Sequence, residues 1–210
     1  NRMYSNAWHG IHIGFTNSGS VVFGNYANGN GSDGMYFCYG NTNTRAFGNF
    51  FESMPWGFKE VGGQDDGDAL IFGNTTKSIT TADYEITSMA QGAVNSEGIL
   101  SIGSAGHVVY GDTTRRGRIS GVARNGTGIG VGLRRASEVT VNVDFHDWSG
   151  SYCVDIQNAG AIRSSLIAVY GQMHGATLAS VRVQSSDDCL ISPSISQPAG
   201  SVPDIIIETD

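Results

Sequence analysis

Proline is scarce in this chain, with four residues in 210, and cysteine is scarcer still, with three. Cys38, Cys153 and Cys189 are odd in number and lack metal-type spacing. Neither a disulfide scaffold nor a zinc knuckle is expected, and all three read as structural thiols. Charged residues make up 15% of the chain, and the net charge is −7 with no long basic run. That balance argues against a nucleic-acid partner, because phosphate is neutralised by clustered Lys and Arg. No apolar run reaches the ~18 residues of a membrane span, and no signal peptide or lipidation motif is legible, so no membrane insertion is expected. A convincing amphipathic helix is missing as well.

What the chain has in abundance is glycine, 30 residues, together with Asn, Ser and Thr, the composition of a chain that turns often. The turns are periodic. Aromatic-Gly-Asn triplets begin at Phe23, Phe47 and Phe72, at spacings of 24 and 25 residues, and a fixed period of this size marks a repeat architecture. After each closing glycine comes a short alternating run: Ile11-His12-Ile13, Met35-Tyr36-Phe37, Phe58-Lys59-Glu60. Alternation by two is a strand with one buried face, so Ile11, Ile13, Met35, Phe37 and Phe58 point inward while His12, Tyr36 and Lys59 point outward. A second alternating run precedes each triplet, and Gly-Asn then breaks it at a corner.

Short strands joined by similar corners predict a solenoid, its turns stacked as parallel strands about 4.8 Å apart. The recurring Asn then acquires a structural role, because its amide can hydrogen-bond the backbone and the amide of the next coil. The frame returns less faithfully in "GILSIGSAGHVVYGD" at 98 to 112, which places Asp112 where the Asn stood, and in further runs between Gly128 and Ser196. Residues 76 to 97 look least regular, either an inserted loop or a bulge in the stack. The whole chain reads as one domain, 1–210, starting partway through a repeat and so expected to be a piece of a longer protein.

The "FGN" corner followed by "SDG" and an alternating strand resembles the pectate-lyase-like superfamily of right-handed parallel β-helices. The fold expected is all-β, a right-handed parallel β-helix of about eight coils. Among such proteins the chain most resembles bacteriophage tailspikes and capsule depolymerases. That resemblance implies a bacterial surface polysaccharide as partner, a homotrimer, and a virion tail or secreted location. It brings no catalytic motif that transfers residue by residue.

Stacking aligns outward residues in columns. One is expected to read His12, Tyr36, Lys59, Glu85, Ser101, Gly130, Asp155, Arg182, and its corner neighbour His9, Asp33, Trp56. Exposed rings stack on pyranose faces while charged groups take the hydroxyls. Trp8, His9, His12, Asp33, Tyr36, Trp56, Lys59 and Arg182 are therefore the candidate substrate-binding residues. The plainer reading is a solvated sheet face. Glycoside hydrolysis needs two carboxyl groups. The local density at Glu52, Glu60, Asp65, Asp66 and Asp68, and a second set at Asp144, Asp147 and Asp155, supply candidates, of which Glu60, Asp65, Asp66, Asp68 and Asp155 are the catalytic ones expected. The loop "VGGQDDGDA" also reads as a solvated turn. No metal or other cofactor is predicted, although a Ca²⁺ ion beside Asp65 to Asp68 would favour a lyase or epimerase. The alternatives to a depolymerase are a binding module that does not cut and a structural shaft. "NGTGIGVG" (125 to 132) lacks the strand-then-helix frame of a nucleotide loop.

Overall fold

The computed structural model describes residues 1–38, 40–41, 43–60, 69–87, 93–112, 115–158, 167–186, 189–196 and 203–208. These form an all-β chain of parallel strands stacked as a solenoid of about seven turns. Each turn has three faces. The first begins with Arg2–Tyr4, Tyr26–Asn28, Phe50–Glu52 and Thr75–Lys77; the second with Ile11–Ile13, Asp33–Phe37, Trp56–Glu60 and Ala82–Thr87; the third with Val21–Phe23, Arg45–Phe47 and Ala69–Phe72. The second face is a sheet of nine strands, closing with His107–Asp112, Val131–Arg134, Tyr152–Gln157, Ala179–Gln184 and Ile205–Glu208.

The alternation read from sequence decides what is buried. Met35, Phe37 and Phe58 are buried, while Tyr36 and Lys59 are half-buried and His12 is exposed. Inward aromatics stack from coil to coil, Phe37 on Phe58 at 4.8 Å between centroids. Cys38 and Cys153 are buried and Cys189 is half-buried; burial pushes the Cys153 thiol up to about 12.

The corner after the third face is the Asn ladder that the repeat predicts. Asn49 Oδ1 accepts from the Asn25 backbone N–H and side-chain amide, both at 3.0 Å. Asn74 Oδ1 accepts in the same way from Asn49, at 2.9 and 3.0 Å. Gly24, Gly48 and Gly73 precede them with φ of 62, 60 and 58°, a left-handed angle that glycine adopts without a Cβ penalty.

Beyond Asn74 the corner changes. Ile99 stands next in the column, so Asp112 is not the heir of the Asn: it lies on the second face, in register with Arg134. The "HVVYGD" run mimics "SVVFGN" in pattern but belongs to a different face. In this half the third and first faces fuse into single ten-residue strands, Ala93–Ile102, Arg115–Arg124 and Ser137–His146. Within the segment expected to be least regular, Thr75–Lys77 keep register on Phe50–Glu52 and Ala82–Ile86 on Trp56–Glu60, while the pairing with Arg115–Arg124 shifts register between Ala93 and Asn95 and between Ser96 and Ile99, the expected bulge; 88–92 lie outside the described residues.

A second corner, between the first and second faces, is left-handed at eight successive rungs: Ser5, Gly29, Ser53, Ser78, Gly103, Asn125, Asp147 and Gly175 all have positive φ. Asp147, a candidate carboxylate, is therefore a corner residue, held at φ 51°. The next residue, Trp148, fills the inside of the same corner, its six-membered ring occupying the space that a Cβ on Gly126 would need, 2.1 Å away.

Candidate glycan-binding face

The outward column of the second face is continuous in register: His12, Tyr36, Lys59, Glu85, Tyr110, Gly132, Asp155, Arg182. Two expected members are corrected. Ser101 lies buried on the first face and Tyr110 takes its place; Gly130 gives way to Gly132. Both slips fall past Ile99, where the Asn marker of the corner is lost, while Asp155 and Arg182 stand in the column as expected.

At one end of this face sits a platform of rings. Trp8 is 72% exposed. The His9 ring stacks on Tyr36, centroids 4.5 Å apart and planes 19° apart, and His12 meets the Tyr36 edge at 5.3 Å. Asp33, fully buried behind them, accepts from His9 Nδ1 at 2.5 Å and from the Ser32 hydroxyl at 2.9 Å. A carboxylate at Asp33 only accepts, so in this contact Nδ1 is the nitrogen that carries a proton. His12 Nε2 lies 3.1 Å from Cys38 Sγ, a thiol whose pKa burial raises. Lys59 Nζ sits 3.7 Å above the Trp56 ring, and the indole N–H of Trp56 donates to Glu85 Oε2 at 2.6 Å. A pyranose has apolar ring faces and a polar rim, and flat rings edged by charged groups match it.

Toward the other end, Arg182 grips Asp155 with two hydrogen bonds of 2.8 and 2.7 Å, while its guanidinium lies 4.5 Å over the Tyr152 ring. Gln157 Nε2 adds a third bond to Asp155 at 3.0 Å. Between Tyr110 and Asp155, Gly132 leaves a cavity of about 120 Å³. His107 lines it, its pKa lowered by burial against a smaller opposing pull from Asp155.

The remaining carboxylates go elsewhere. Glu60 is buried on the inward side of its strand, in register with Phe37 and Ile86. Glu52 is on the first face, bonded to Lys77, Tyr26 and Asn28; the Lys77 ammonium chiefly holds its carboxyl below the usual range. Asp144 is also on the first face, accepting from the Gln172 backbone N–H at 2.8 Å, so it does not meet Asp155. Asp65, Asp66 and Asp68 lie outside the described residues. The platform and column partners named from sequence thus come together on one face, whereas the described carboxylates of the two sets, Glu52, Glu60, Asp144, Asp147 and Asp155, are dispersed.

Sequence reasoning missed His107, Tyr110, Gly132 and Gln157. The signal that could have found them is the parity of "HVVYGD" counted from the Ala82–Thr87 strand rather than from the Asn corner. Among the described residues no group of three or more His, Cys, Asp or Glu could hold a metal ion, and no helix is long and apolar enough to cross a membrane. Comparison with protein-family models, with curated proteins and with solved structures finds no match.

Proposed function

We propose that the second face binds an extended polysaccharide, its sugars laid along the column from the Trp8 platform toward Arg182. The observation that supports this reading best is a column in register over eight rungs, roughly 34 Å at 4.8 Å per rung, in which every member but Gly132 is a ring or a charged group. Rings alone would suit any apolar partner, but rings interleaved with Lys59, Glu85, Asp155 and Arg182 suit a chain that offers hydroxyls at every unit. The resemblance to tailspike-like β-helices points to a bacterial capsule or O-antigen as the partner, met by a protein on a virion tail or one that is secreted.

Cleavage of the bound chain is the second step of this proposal. Hydrolysis by paired carboxyl groups requires them within about 10 Å of each other across the sugar. Of the described candidates, Glu60 faces inward and Asp155 is held by Arg182. The pair best suited to move a proton at the platform is His9 with Asp33, the carboxylate orienting the ring and Nε2 acting as base. The reading also includes a homotrimer. The third face supports it with a ladder of stacked rings, exposed at Phe23 and half-buried at Phe47 and Phe72, ring planes 9° and 12° apart.

The test is incubation with a panel of bacterial capsules and O-antigens. Binding that Trp8→Ala and Tyr36→Ala weaken supports the reading, new reducing ends indicate hydrolysis, and new unsaturated uronates indicate elimination. A panel bound equally well by the wild type and both variants contradicts it. Light scattering that gives the mass of a single chain contradicts the trimer.

A further inference from the structure

The cavity at Gly132 lies outside the platform, and its chemistry differs from that of the rest of the column. Asp155 lines it, and Asp112 stands in register with Arg134 beside it. Both carboxylates are already paired: Asp155 with Arg182, and Asp112 with Arg135 through bonds of 2.9 and 2.6 Å. Arg134 lines the cavity and, unlike Arg135 and Arg182, makes no ion pair among the described residues. The chain carries a net charge of −7, so a guanidinium without an ion-pair partner at a concave point of its surface runs against the average.

The walls are those of a sugar site. The Tyr110 and His107 rings, 5.0 Å apart and inclined at 57°, form one side. The Gln157 carboxamide and Asp155, which Gln157 Nε2 and Arg182 hold, form the other. Burial keeps His107 neutral near pH 7, so it offers one donor and one acceptor rather than a second full charge. Any side chain at position 132 would close the space: a Cβ there would lie 2.8 Å from His107 Cδ2. The backbone at Gly132 is not left-handed, so conformation does not demand a glycine.

We infer that this cavity is a subsite for one sugar unit carrying an anionic substituent, a carboxylate or a sulfate ester, which Arg134 receives with its planar fork while Tyr110 stacks on the ring. The inference rests on the reading of the second face as a polysaccharide surface and adds the charge of the substrate to it.

The experiment is a heteronuclear NMR titration of the full chain with three probes: methyl glucuronoside, glucose 6-sulfate and methyl glucoside. Expected are shifts centred on the Gly132, Leu133 and Arg134 amides, saturating with at least one anionic sugar at about tenfold lower concentration than with the neutral one. Which anionic sugar wins separates carboxylate from sulfate. Gly132→Ala, which fills the cavity by pushing on the movable end of His107, and Arg134→Gln, at an exposed position that does not threaten folding, should each erase the tenfold preference. Equal saturation by all three sugars, or an anion preference that survives Arg134→Gln, overturns the subsite. Shifts confined to Trp8, His9 and Tyr36 overturn the subsite and leave the glycan surface standing. No shift on the second face with any probe overturns both.

Discussion

The corner that joins the third face to the first is built in two chemistries within one molecule. Through Asn25, Asn49 and Asn74 it is polar, each amide bonded to the next coil. Through Ile99, Gly121, Val143 and Gly171 it is apolar and alternates large with small. A Cβ at Gly121 would sit 2.2 Å from the Ile99 carbonyl, and one at Gly171 would sit 2.4 Å from the Val143 carbonyl, so each glycine is the seat for its larger neighbour. The same turn can therefore be satisfied by hydrogen bonds between coils or by close packing of backbone on backbone. The polar form needs a particular side chain at every rung, whereas the apolar form needs only matched sizes.

Between the two regimes lies a buried polar patch. Asp83 is buried and accepts from the Thr76 hydroxyl at 2.7 Å, with Ser101 and Ser104 close by. Burial pushes its carboxyl up to about 6.

The largest effect that would sharpen this comparison is expected at Gly121. Gly121→Ala meets a backbone carbonyl that cannot move aside, and φ is 148° there, so a loss of more than about 4 kcal/mol and failure to fold are expected. Soluble yield and circular dichroism check this; a folded variant of wild-type stability would mean that the tight corner is not as described. Next comes a matched pair. Asn49→Ala strips four hydrogen bonds from a buried site and should cost about 3 kcal/mol. Val143→Ala at the equivalent rung should cost about 2 kcal/mol, through packing alone. Urea denaturation measures both, and a Val143→Ala loss larger than that of Asn49→Ala would reverse the assignment of the two chemistries.

A smaller effect, and the one that reads the junction, is the pH dependence of Asp83. Its folded pKa of about 6 lies above the ordinary aspartate value of 3.8, so the folded chain binds the proton more tightly than the unfolded one. Its contribution to stability is therefore fullest below about pH 4, is lost as pH rises to about 6 and is absent above that, a swing of about 2 kcal/mol after local relaxation. Asp83→Asn should flatten the wild-type profile over that range in thermal melts taken from pH 4 to pH 8. If the variant keeps the wild-type slope, another group is responsible.

The two corners also explain what is legible in the sequence. The triplets at Phe23, Phe47 and Phe72 are visible because hydrogen bonding between coils demands the same residue each time. Parallel strands, the Asn ladder and the column from His12 to Glu85 follow from that. Ile99, Gly121, Val143 and Gly171 share no chemistry, so the repeat loses its marker there: Asp112 mimics a corner residue, and Tyr110 and Gly132 stay hidden. Glu60 is a different case. It has the parity of Phe58, so alternation alone already places it inward, and a local density of carboxylates says nothing about which side of the strand each one faces.

The measurement that tests the central claim most directly is hydroxyl-radical footprinting of the chain with and without the best-bound polysaccharide of the panel. Protection of Trp8, Tyr36, Trp56 and Tyr110 together, with the reactivity of Phe23, Phe47 and Phe72 unchanged by the polysaccharide, is the expected result. Protection of the Phe ladder with Trp8 and Tyr110 unchanged would place the sugar on the wrong face and contradict the account.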